Sequence, residues 1–432
     1  MKVSVFWHRR DLRLDDNTGL SAALESGYPV LPIFIFDTDI LKELKKDDAR
    51  LSFIHQELNR INRELGEFNS SILCLYGTPL AVLKKLEEQF EIANVFTNRD
   101  YEPYAIKRDE IIKAWFNSKG IEFSSFKDQL IFEPGEVLKN DGSPYTVYTP
   151  FKNKWRDLFK NNQLKNHGIE ASANFFQCDY KIPELADIGF VASTITVKDY
   201  SLDQLEDYKA TRDIPSLDST SKLSVHLRFG TVSIRQVVSD VLENESFLNE
   251  LIWREFFMQI LYHFPHVVTE NFRPKYNGIQ WRNKEDEFER WKNGNTGYPM
   301  VDAGMRELNA TGYMHNRVRM VVAGFLCKHL LIDWRWGEAY FAEKLLDYEL
   351  ASNNGNWQWA AGTGCDAAPY FRVFNPTEQV KKFDPELKYI RKWVPEIDSL
   401  DYPPPMVEHK MARERAISIY REGIERSTGN TN

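Results

Sequence analysis

The run NNGNWQWAAGTGCDAAPYF, residues 353–371, sets two tryptophans among paired asparagines and contains no histidine, lysine or serine. Acid–base candidates elsewhere are thin. His315 precedes Asn316, and Asp347 and Glu349 flank the run, but no Ser-His-Asp order or paired-carboxylate spacing stands out. If the chain is an enzyme, a cofactor supplies the hard chemistry and the protein supplies binding, orientation and electrostatics. Tryptophans then gain a second use, because an indole is easily oxidised and several in a row can pass an electron. Trp281, Trp334 and Trp357 are the candidates.

Residues three and four apart share a helix face. Asn316, Arg317 and Met320 in MHNRVRM therefore form one patch, with Arg319 pointing elsewhere, and Glu250, Trp253 and Arg254 in NELIWREF form another. An amide, guanidinium, carboxylate, thioether and indole together suit a planar, hydrogen-bonding ligand such as a base. Equally, Trp253 and Met320 are core and the polar residues their rim. In STSKLSVHLRFG, hydroxyls at Ser219, Thr220, Ser221 and Ser224 precede a helical pattern. They could hold a phosphate at a helix start, or one of them is simply an N-cap.

These residues need elements to carry them. The first 130 residues alternate VSVF, VLPIFIF, SILCLYG, IANVFTN and IEFSSF with amphipathic helical patterns, which predicts an α/β domain with a doubly wound, parallel five-stranded sheet over 1–131. FWHRRDLRLDDN follows the first strand in place of any GxGxxG or P-loop. Its charges, Arg9, Arg10, Asp11, Arg13 and Asp15, read by default as a paired, partly solvated loop. Periodicity fades over 132–199, a long connector, and returns at a 3.6-residue period over 200–432, an all-helical domain that includes GEAYFAEKLLDYELA.

At 432 residues and 42% hydrophobic content the chain can fill at least two cores. No run approaches the ~18 apolar residues of a membrane span, and the N-terminus lacks a signal-peptide core, so a cytoplasmic location is expected. Cys74, Cys178, Cys327 and Cys365 form no CxxC pair, which argues against a zinc site or disulfide framework and for reduced, mostly buried thiols. A net charge of −8 leaves any phosphate binding to a local patch.

FWHRRDLRLDDN, GNTGYPMVDAGMRELNATGYMHNRVRM and LLDYELASNNGNWQWAAGTGCDAAPYFRVFNP resemble the DNA photolyase and cryptochrome family over nearly the whole chain, most of all its class I cyclobutane pyrimidine dimer photolyases. The resemblance implies an antenna-type α/β domain and a helical domain that binds FAD. Tyr208, Thr220, Ser221, Leu223 and Ser224 would hold FAD, with Arg254, Asn316, Arg319, Asp347 and Glu349 beside it and Asn353 facing flavin N5. Trp357, Trp334 and Trp281 match the family's electron-carrying tryptophan chain. Arg212, Glu250, Trp253, Asn316, Arg317, Met320 and Trp359 match the pocket for a flipped-out pyrimidine dimer in DNA. The implied reaction is light-driven: an electron passes from excited reduced FAD to the dimer, the ring splits and the electron returns. Monomeric action, with no metal, membrane or obligatory protein partner, goes with it.

Glu349 departs from the family's usual aspartate, and Cys365 stands where threonine or serine is frequent. Glu102 resembles an antenna-folate contact, but HFPHVVTENFRP lacks the Cys-Lys pair of some folate binders, so folate, deazaflavin, flavin or no antenna stay open. A cryptochrome-type photoreceptor would carry aspartate at 353, and a (6-4) photolyase would want a histidine beyond His315. Outside the family stands a light-independent flavin or nucleotide-binding module with Trp357 and Trp359 as core.

Overall fold

The structure, a computed structural model, describes residues 2–161, 164–170 and 172–429. Strands β1 (Lys2–His8), β2 (Val30–Asp37), β3 (Leu73–Gly77), β4 (Glu91–Asn98) and β5 (Glu122–Phe126) form one parallel sheet in the order β3-β2-β1-β4-β5. All eight residues of β2 are buried, as are all of β1 except Lys2. A parallel sheet covered on both faces needs such unbroken apolar strands, which is why the sequence pattern exposed them. The helices Thr18–Leu24, Ala49–Gly66, Pro79–Gln89 and Pro103–Ser118 lie between successive strands. Asn17 and Asp48 cap the first two, accepting from the N–H of Leu20 and Arg50. The five-stranded α/β expectation is met.

The chain divides into two compact units that no single cut separates. One comprises the residues up to Val137 with Trp155–Tyr200 and Lys222–Leu248; the other comprises Leu138–Lys154, Ser201–Ser221 and the chain from Asn249 onward. A helix, Tyr148–Phe159, forms inside the stretch read as connector.

The charged loop after β1 is paired and buried rather than solvated. Asp11 is 1% and Arg13 6% exposed, with only Asp15 at the surface. Arg13 donates to Asp128 (2.7 Å) and to the Gly230 carbonyl (3.0 Å), and Arg235 donates to Asp128 (2.9 Å) and Asp16 (3.0 Å). Arg10 donates to Glu102 (3.0 Å), the residue singled out as an antenna contact.

In the second unit the helices Pro299–Thr311, Asn316–Gly324, Trp334–Lys344 and Leu350–Ala361 pack around Met305, Val318, Val322, Leu326, Phe341 and Trp357. Gly355 and Gly337 make two of these approaches: a Cβ at Gly355 would collide with the Phe257 ring, and one at Gly337 with the Trp357 indole. GEAYFAEKLLDYELA is not one helix. The chain leaves helical geometry at Leu345 because Leu345 and Leu346 are both buried and the Leu346 N–H bonds the Gly312 carbonyl (2.9 Å). The four cysteines are free; Cys327 and Cys365 are buried, Cys74 and Cys178 only half-buried. Among the described residues no helix is long and apolar enough to cross a membrane, and no cluster of metal-ligating side chains occurs.

Burial works to raise the Asp128 carboxyl, but Arg13 and Arg235 outweigh it and hold it below the usual carboxylate range. Asp128→Ala removes the carboxylate partner of Arg13 and one of the two that hold Arg235, and is expected to cost about 3–5 kcal/mol in urea unfolding of the protein. In the native protein the pairing contribution is present above the ordinary aspartate range and lost as pH falls through the depressed value.

Candidate active site

Glu250, Trp253 and Arg254 share a face of the helix Glu245–His263, as their spacing required. Each meets a different element. Glu250 is ion-paired with Arg212, whose guanidinium lies over the Tyr208 ring at 5.3 Å. Burial, with the Glu250 charge adding to it, pushes the Tyr208 phenol up to about 12. Arg254 donates to Glu349 (3.0 Å), which also accepts from the Ser352 hydroxyl (3.0 Å). The longer side chain at 349 thus spans two partners. Trp253 is half-buried against Phe256 and Phe257.

The helix Asn316–Gly324 begins at His315, whose Nδ1 accepts from the Arg317 N–H (3.2 Å). Arg317 reaches Met320 Sδ (3.6 Å), Asp213 (2.9 Å) and the face of Phe383 (4.4 Å), and Asn316 is exposed beside it. Arg319 does point elsewhere, donating to the Met314 carbonyl (2.7 Å) and to Asp347 Oδ2 (2.9 Å). The other Asp347 oxygen, Oδ1, is buried with no hydrogen-bond donor. An acceptor left so beside a guanidinium is one a bound N–H would satisfy. Ser219 Oγ is buried and unmatched in the same way. The Thr220 hydroxyl bonds the Tyr313 hydroxyl (3.1 Å), and the backbone carbonyl of Ser221 accepts from the Ser201 N–H (3.0 Å). None of these hydroxyls is the N-cap of the next helix, Leu223–Phe229: that position is Lys222, in left-handed geometry and without a side-chain cap bond. Leu223 is buried and Ser224 exposed at the start of that helix, in the first unit.

Asn353 lies in the first turn of the helix Leu350–Ala361, its Nδ2 donating to the Glu338 carbonyl (3.0 Å). Trp357, one turn on, is 2% exposed against Phe341 (4.9 Å) and Trp291 (6.2 Å), while Trp359 is half-buried. Trp334 is fully buried, with its indole N–H on Asn271 (2.9 Å), in the same core cluster as Trp357. Trp281 packs at that cluster's edge, its ring 5.8 Å from Tyr420.

Sequence reasoning missed Glu338, Asp213 and Tyr313. Asp213 directly follows Arg212, and Tyr313 lies within GYMHNRVRM, so proximity to flagged residues was the available signal. Glu338 gave none. Burial pushes its carboxyl up to about 7, with Asn353 and Arg335 pulling the other way.

Residues 4–171 match the family model described as DNA photolyase, and 247–401 the one described as the FAD binding domain of DNA photolyase. The chain is 37% identical to the deoxyribodipyrimidine photo-lyase of Halobacterium salinarum, covering 97% of this chain and 98% of that one. It is 34% identical to the Escherichia coli enzyme of the same name, over 97% and 98%. Among solved structures it is similar to a bacterial class III photolyase from Agrobacterium tumefaciens (TM-score 0.87, 34% identity, 98% of each chain). It is also similar to an archaeal photolyase from Sulfolobus tokodaii with two FAD molecules (TM-score 0.86, 37% identity, 98% of this chain and 100% of that one). The chain belongs to the DNA photolyase family. It is an enzyme of that family, and FAD is its cofactor.

Because folded Glu338 stays protonated up to about 7 while the unfolded side chain ionises near 4.5, wild-type stability falls as pH rises through that interval. Glu338→Gln has no such loss. Its thermal midpoint relative to wild type is expected to climb from pH 4.5 to 7 and then level off; a pH-independent difference would contradict the assignment.

Proposed function

We propose that this chain repairs cyclobutane pyrimidine dimers in DNA by light-driven electron transfer to a dimer flipped out of the helix. The observation that carries the reading is the single face of the helix Glu245–His263, where Glu250 meets Arg212 and Arg254 meets Glu349. Residues four apart lie ~5–6 Å from each other at Cβ, so the groups offered to lesion and to cofactor stand one helical turn apart. Short separation is what electron transfer between the two requires.

When bound, reduced FAD would supply the light-driven one-electron chemistry that opens the dimer's ring, with no net redox change. The chain's own residues hold and orient the reactants. Arg319 and Asp347 would hold the isoalloxazine, Asp347 Oδ1 being available to accept a ring N–H, and Arg254 and Glu349 would border the same cofactor. Thr220, Ser221 and Tyr208 lie toward its phosphates, Ser219 Oγ adding a buried hydroxyl. Asn353 has its N–H committed to Glu338, which leaves its carbonyl oxygen as acceptor toward N5. An amide there holds a proton in place and cannot donate one as a carboxylic acid would. Trp281, Trp334 and Trp357 carry electrons to oxidised flavin.

Trp253 and Trp359 clasp the splayed bases, whose flipping is made cheaper by the poor stacking and pairing of a dimer. Glu250 accepts from a base N–H and Asn316 reaches the polar edges, with Met320 as the apolar floor. Arg212 and Arg317 are each held by one carboxylate and keep further N–H donors for backbone phosphates, the local positive patch that a chain of net charge −8 needs. By likeness to the Sulfolobus tokodaii structure with its two FAD molecules, a second, light-harvesting chromophore belongs to the proposal.

Dimer-containing oligothymidine, incubated with reduced protein, is expected to regain its ultraviolet base absorbance under blue light and not in the dark. Trp253→Ala removes stacking worth ~1–3 kcal/mol per base and should weaken dimer binding about tenfold or more. Bound, photoreducible FAD without light-dependent recovery would sink the repair reading and leave a photoreceptor or a photolyase for another lesion.

A further inference from the structure

We infer that Tyr148 is a positioning residue for lesion binding: it clamps the Trp253 indole, so that the ring meets a base already oriented. The inference rests on the repair reading above. The Tyr148 and Trp253 rings stack face to face, with centroids 3.6 Å apart and planes within 7°. At that separation no third ring fits between them, so one side of the indole is closed. Phe256 meets the indole edge-on at 5.6 Å and Phe257 stacks on it at 5.5 Å with planes 29° apart, yet Trp253 remains only half-buried.

Tyr148 can act as a clamp because it is itself fixed. Its ring is 7% exposed and its edge meets Phe256 at 5.9 Å. Its hydroxyl donates to the carbonyl of Asn249 (2.8 Å), the residue immediately before Glu250. Its backbone N–H, the first of the helix Tyr148–Phe159 and therefore without a partner inside it, donates to Asp366 Oδ2 (3.1 Å), in the loop after the helix Leu350–Ala361. Tyr148 thus ties the Leu138–Lys154 segment to the helix Glu245–His263 through its side chain and to the loop after Leu350–Ala361 through its backbone. A tryptophan free to turn gives up side-chain freedom when it grips a base, and one already clamped does not.

The test uses the FAD-loaded protein and dimer-containing oligothymidine, with undamaged oligothymidine as control. Tyr148→Leu is expected to raise KM and the Kd for the dimer about tenfold while kcat changes less than twofold, FAD content holds and the weak binding of undamaged strand is unaltered. Tyr148→Phe, which keeps the stack, should restore dimer binding to within about twofold. In a Trp253→Ala background Tyr148→Leu should add nothing, since the residue acts through that indole. Should Tyr148→Leu not fold, Tyr148→Met fills the volume without a flat ring and is read the same way. Wild-type dimer affinity in the folded variant, equal loss for both strands, or effects that add in the double variant would each overturn the inference. If the wild-type protein itself showed no preference for dimer, the repair reading would fall and this inference with it.

Discussion

How near the helix Leu350–Ala361 lies to its neighbours is set by what two positions lack. Gly355 lets the Phe257 ring press against the helix backbone, and Gly337 lets the Trp357 indole lie against the helix Trp334–Lys344. Any side chain at either position would lever the helices apart, because cores packed at crystal-like density do not absorb an extra carbon cheaply. The distances on which the site depends are downstream of these two contacts. Asn353 reaches the Glu338 carbonyl, Glu349 reaches Arg254, and Trp357 joins the Trp334 cluster only while the helix stays where the glycines allow it.

Within that frame the second unit handles charge by matching it locally. Arg212, Arg254, Arg317 and Arg319 each have a carboxylate partner, on Glu250, Glu349, Asp213 and Asp347. Removing a guanidinium from water is tolerable when its counter-charge comes with it. Such a wall is fixed and dipolar rather than reactive, which agrees with the proposed reaction, in which a cofactor supplies the bond-breaking electron. One place where matching stops, Asp347 Oδ1, is informative for that reason.

Much of this was legible in the sequence, and the limits have physical causes. The five strands announced themselves because a doubly covered parallel sheet demands continuous apolar runs, as in VLPIFIF. The faces of Glu250, Trp253 and Arg254, and of Arg317 and Met320, followed from helical spacing alone. Arg319 with Asp347 could not follow from spacing; there the family resemblance set both residues beside the cofactor. Periodicity misled at GEAYFAEKLLDYELA, where a tertiary bond from Leu346 to Gly312 overrides the local pattern and frees Asp347 to turn toward Arg319. It was silent at Glu338 and Tyr148. A carboxyl raised by burial and a ring stacked on a residue of another helix are products of packing, which no local pattern encodes. The charge run after β1 was read as paired but partly solvated, and the depth of its burial was missed because its partners, Asp128 and Gly230, are distant in sequence.

That distance bears on how the protein is made. The last strand of the sheet ends at Phe126, yet the unit built around it also takes in Lys222–Leu248, and Arg235 from that segment holds Asp16 and Asp128. A nascent chain emerging from the ribosome therefore carries all five strands well before it carries the cation that balances their buried acids. The first unit therefore cannot close until segments of the second have already emerged, and during that interval the unfinished sheet is the part of the growing polypeptide most in need of a chaperone.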